Sequence, residues 1–187
     1  MDTIISKFIE KIKTSKVLKV EIAVMIICLF LGTLLHFTYE WSGESSFVGI
    51  FSAVNESVWE HLKLVFYPMI LMAILEYFYL QNISNNYLEA KTIGIFCAMS
   101  FIIMTFYTYT GIVGTDFAVI NIIIFIVSII LGEWVSYKIM IRKDESTTLS
   151  KILSIAILIF FIICFAVFTY NPPVANIFKD YGGMCIK

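Results

Sequence analysis

Five mostly apolar stretches, at about 20–41, 57–80, 91–112, 117–140 and 150–170, limit this chain more than any other feature. Each reaches the roughly 20 residues that a helix rising about 1.5 Å per residue needs to cross a hydrocarbon core. In lipid, every backbone N–H and C=O must be satisfied within the spanning structure, and separate 20-residue runs do this as helices. The expected fold is all-α: a polytopic membrane protein, a bundle of five transmembrane helices in a single domain over 1–187, with the lipid bilayer as its main partner. Composition agrees, with 60% hydrophobic and 14% charged residues, against roughly 45–50% and about 25% in soluble domains. A net charge of −1 offers no basic field for nucleic acid. The first span is not a cleavable signal, because His36, Glu40 and Trp41 follow it rather than small residues.

Charge in the flanks predicts orientation. Lys7, Lys11, Lys13, Lys16, Lys19, Lys91, Lys138, Arg142, Lys143 and Lys151 fall on one side, against Lys63, Lys179 and Lys187 on the other. That bias puts the N-terminus in the cytoplasm. An odd number of spans then puts the C-terminus outside the cell membrane. Ahead of the first span, Ile4, Ile5, Phe8, Ile9 and Ile12 recur at helical spacing, which predicts a short N-terminal amphipathic helix on the inner surface. Cys28, Cys97 and Cys164 lie in apolar runs on different segments and form no ligand pair, so they read as small buried hydrophobes. Cys185 is expected as an unpaired outer thiol. The longest outer loop, Ser42 to Glu56, has an apolar centre at Phe47–Phe51 that should rest on the interface or dip into it.

An ionisable group in or beside a span is costly and marks a functional candidate. Thr33, His36 and Glu40 share one face of the first helix, at i, i+3 and i+7. Glu56, Glu60, Lys63 and Tyr67 form a polar stripe at the start of the second, while His61 points about 100° away from Glu60. Pro68 removes a backbone donor below the stripe and should bend that helix. A structural role competes with the functional one: Ser57 and Glu60 make a capping box, and Glu60 with Lys63 reads equally as an exposed ion pair. The nitrogen and oxygen ligands of His36, Glu60 and His61 suit zinc or a similar divalent metal, although no metal-motif spacing is present. A proton-transfer or substrate-orienting role for a histidine–carboxylate pair needs no metal. At the inner side, Glu76 and Glu133 are expected to pair with flanking lysines, with a path for protons or cations as the sharper alternative.

The run Asn55-Glu56-Ser57-Val58-Trp59-Glu60-His61-Leu62-Lys63 resembles the signature of an uncharacterised family of small bacterial multi-pass membrane proteins, a domain of unknown function. Pro172-Pro173, Phe178, Asp180 and Tyr181-Gly182 are similar to that family's tail. The resemblance implies a fold and no activity.

The leading expectation is a polar pocket open to the outer face. Ligand-binding groups would be His36, Glu40, Glu56, Glu60, His61 and Tyr67, with residues after Pro173 folding over the mouth. It would bind a small polar ligand or ion, and metal-dependent hydrolysis is one chemistry open to it. The alternative is a non-enzymatic structural or regulatory subunit that meets a membrane protein partner or forms a homo-oligomer.

Overall fold

The computed structural model describes residues 2–142 and 145–181, with side chains from Lys11 onward. Six helices follow in order: α1 (Asp2–Trp41), α2 (Ser46–Gly49), α3 (Val58–Leu80), α4 (Tyr87–Val113), α5 (Ala118–Met140) and α6 (Thr148–Tyr170), then a 3-10 turn at Asn176–Phe178. All but α2 are long and apolar enough to cross a membrane, and the described residues contain no strand. The chain is thus a multi-pass helical bundle, with α3 to α6 within a few residues of the expected spans. Cys185 and Lys143 lie outside the described residues.

The N-terminal segment departs from expectation in one respect. It is helical, but it runs without a break into the first span, so α1 is a single helix of 40 residues. Nothing between Ile12 and Val20 is glycine or proline, and helix propagation through such a segment adds one hydrogen bond per residue. Val17 is already fully buried. The side chains of Ile4, Ile5, Phe8 and Ile9 lie outside the described residues.

Two glycines set the tightest crossing. A Cβ on Gly94 of α4 would sit 2.6 Å from the Gly132 carbonyl oxygen of α5, and one on Gly132 would sit 2.8 Å from the Gly94 oxygen. Small residues let helices approach closely where lipid supplies no hydrophobic drive between them. α3 runs through the middle of the bundle, and Val65, Phe66 and Met69 meet Cys28, Ile95 and Ile129 in the core. α6 is peripheral, with only 11% of its most apolar stretch buried. Pro68 lies inside α3 and leaves the Leu64 carbonyl without its usual amide partner. That oxygen faces Gly32 of α1, where a Cβ would come within 2.4 Å of it.

Capping is local. Ser57 Oγ accepts from the Glu60 amide at 3.3 Å, which is half of the expected capping box. The Ser57 amide donates instead to Asn55 Oδ1 at 3.0 Å. The loop before α3 folds onto the bundle end. Ser52 Oγ donates to the Leu35 carbonyl and accepts from the Tyr39 amide at 3.1 Å, the two groups that an unbroken helix pairs with each other. Gly49 is buried, while Phe47 is largely exposed.

Candidate functional site

His36 on α1 and His61 on α3 both turn toward Glu56, the second residue before α3. His36 Nε2 lies 3.7 Å from Glu56 Oε1, and His61 Nε2 lies 3.4 Å from Glu56 Oε2. The imidazoles meet edge to face, with centroids 5.4 Å apart. His61 Nδ1 stands 2.9 Å from the Ser57 carbonyl. A carbonyl can only accept, so Nδ1 carries the proton and Nε2 points into the cluster. The Glu56 amide donates to Asp180 Oδ1 at 3.2 Å, which ties the carboxylate's backbone to the tail of the chain. With Nε2 protonated as well, His61 donates to Glu56 and holds its carboxyl below the usual range; burial opposes this, and the charges of His61 and His36 add to it.

One ligand atom from each of His36, Glu56 and His61 falls within 4.8 Å of the others. Ligands about 2.0–2.2 Å from a tetrahedral zinc sit roughly 3.4 Å apart, close to both nitrogen–oxygen separations here. Three protein ligands with an open fourth position is also the pattern of catalytic zinc. The cluster stands at the rim of a cleft of about 460 Å³ between α1, α3, α4 and α5. Asp116, Asn121 and Tyr181 bring further polar groups to that cleft, whose other lining, including Ile102, Phe106 and Phe125, is apolar.

The expected metal-ligand set of His36, Glu60 and His61 changes by one member. Glu60 turns away from the histidines: its Oε2 accepts from the Val54 amide at 3.1 Å and pairs with Lys63, and its Oε1 accepts from Thr169 Oγ1 at 3.3 Å. Consecutive helical residues diverge by about 100°, so Glu60 and His61 serve different neighbours. Glu56 takes the place of Glu60 beside the histidines. The Glu60–Lys63 pair is buried rather than exposed, at 2% and 0%. Lys63 Nζ also donates to the Gly49 carbonyl at 2.7 Å and to Thr169 Oγ1 at 2.9 Å. Glu40 is exposed and stands outside the cluster. Tyr67 packs among Phe51, Phe66 and Phe165, away from the imidazoles.

Residues far apart in the chain complete this end. Phe178 packs against Trp59 and Phe168, with centroids 5.0 and 5.6 Å away, and Tyr181 meets Phe106 at 5.4 Å. The tail residues Phe178 and Asp180 therefore dock on the segment from Asn55 to Lys63, a pairing that no local spacing signals.

A second polar centre lies at the opposite end of the bundle. Lys91 of α4 reaches Glu21 of α1 at 2.7 Å, Glu133 of α5 at 3.0 Å, and Glu76 of α3. Glu76 and Glu133 do pair with a lysine, but with one inside the bundle, and all four groups are at most 5% exposed. Glu21 escaped sequence reasoning because it sits where the first apolar run begins and reads as a flanking charge. Lys91 reads as a flanking charge for the same reason.

No curated protein and no solved structure matches this chain. A family model does, across residues 7–184. It covers nearly the whole bundle and both polar centres, so the chain belongs to a protein family of unknown function, DUF6512.

Proposed function

We propose that His36, Glu56 and His61 hold a divalent metal ion, zinc by ligand type, at the rim of an outward-facing cleft that binds a small polar ligand. One observation carries this reading: both Nε2 atoms converge on the Glu56 carboxylate at zinc-ligand spacing, while His61 Nδ1 is committed to the Ser57 carbonyl. A backbone carbonyl on the far ring nitrogen is the usual way a metal-binding histidine is oriented. Such a metal polarises a carbonyl or phosphoryl oxygen and acidifies bound water, which makes hydrolysis the chemistry of choice. Asp116 offers the same cleft a further carboxylate. The bundle sits in the cell membrane as one domain, with its N-terminus cytoplasmic and this end outside, by the lysine and arginine bias.

The alternative, a non-enzymatic structural or regulatory subunit, is favoured by Glu60 and Lys63. Their polar atoms are spent holding the loop and α6. Metal analysis separates the two. Detergent-purified protein, stripped with chelator and reloaded with zinc, should retain about one ion per chain and melt higher, as any native-state ligand requires. His36→Ala and His61→Ala should each abolish retention and shift, whereas Glu40→Ala should keep both. A zinc-induced shift that survives in the double histidine variant, or no retention by the parent protein, would overturn the metal reading.

A further inference from the structure

Four ionisable side chains from four helices meet out of water around Lys91. Lys91 Nζ donates to Glu21 Oε1 at 2.7 Å and Glu133 Oε2 at 3.0 Å and forms an ion pair with Glu76. Three carboxylates against one ammonium leave two negative charges uncompensated if all are ionised. The other titratable groups facing the cluster bring no positive charge. Cys28 of α1 directs its thiol at Glu133 Oε1, 4.0 Å away. Tyr87 of α4 donates its hydroxyl to the Ala73 carbonyl at 2.6 Å.

The carboxylate oxygens supply an independent observation. Glu21 Oε2 and both carboxylate oxygens of Glu76 are buried with no hydrogen-bond partner in the structure. A buried carboxylate without a counter-charge takes up a proton rather than remain ionised. A metal cation in the same place would have to displace the Lys91 ammonium from the centre of the three carboxylates.

We propose that Glu21, Glu76 and Glu133 around Lys91 form a proton-binding centre that holds two protons at neutral pH and exchanges them at the α3–α4 end of the bundle. Lys91 is the fifth residue of α4, so the site lies little more than one turn inside that end. Toward the histidines, the apolar residues Val24, Val65, Met69, Ile95 and Ile129 close the core. Protons therefore enter and leave at one end only, as in a loading site and unlike a channel.

Infrared spectroscopy of the full chain in detergent, in H2O and D2O at pH 7, reads protonated carboxyl C=O stretches directly. The parent protein should show about two protonated carboxyl groups per chain. Glu21→Gln and Glu76→Gln should each lose about half of that signal, and Lys91→Met should raise it about 1.5-fold, because the remaining carboxylates then lack any counter-charge. The amide bands confirm that each variant is folded; if Lys91→Met is not, the two glutamine variants decide. No protonated-carboxyl signal in the parent protein would overturn the proposal. So would a signal that disappears when sodium or calcium chloride is added at constant pH, since metal cations would then be the counter-charge.

Discussion

Among single residues, Glu56 and Lys63 differ most in what their loss should cost. Glu56 is about half exposed, so its histidine contacts are screened and should contribute under about 1 kcal/mol. Its carboxyl titrates below the ordinary range, so this contribution is present above about pH 4 and fades as pH falls through the folded-state value. Melting curves of the metal-free protein and Glu56→Gln should differ slightly at pH 7 and converge under acid conditions. Equal separation at every pH would show that the charge plays no part. Lys63 is another case. Lys63→Met leaves the Glu60 carboxylate buried beside Thr169 and Val54 without its cation, and breaking such a pair costs about 3–5 kcal/mol. Adding Glu60→Gln should recover part of that loss in thermal unfolding. If the single and double variants melt together, the pair is not what holds the loop.

For the helices, the glycines where α4 crosses α5 carry the sharpest expectation. Gly94→Ala would push a methyl into the Gly132 carbonyl at 2.6 Å, and that contact is backbone, which cannot rotate aside. Overpacking of this kind costs about 1–3 kcal/mol, and a lowered melting temperature measures it. A neighbouring substitution at an exposed position of the same helix, Phe96→Leu, should change the melting temperature little. The helices themselves were largely legible in the sequence, because lipid demands about 20 apolar residues per crossing and α3 to α6 satisfy that within a few positions. The meeting of His36 with the start of α3 was legible too, since an imidazole at that depth requires a partner. What could not be read was partner choice. Whether Glu56 or Glu60 joins the histidines depends on a loop whose path is set by Ser52 and Gly49. The assembly around Lys91 depends on how four helices rotate about their axes, and periodicity does not report this when nearly every face is apolar.

Viewed as a whole molecule, the bundle presents two polar ends separated by a dry core, and its orientation is testable. In a background with the native cysteines replaced, Val174→Cys should react with an impermeant maleimide in intact cells, while Asn82→Cys should react only after lysis. The reverse pattern would place the histidine cluster on the cytoplasmic side. The docking of Phe178 and Asp180 on Trp59 and Glu56 has a consequence for synthesis. His36, Glu56 and His61 leave the ribosome more than a hundred residues before the segment that braces them. Until α6 has inserted and the chain has doubled back across the bundle, this end is unbraced and Glu60 lacks Thr169. A chain halted within α5 would carry His36, Glu56 and His61 yet lack the contacts of Phe178 and Asp180 with Trp59 and Glu56.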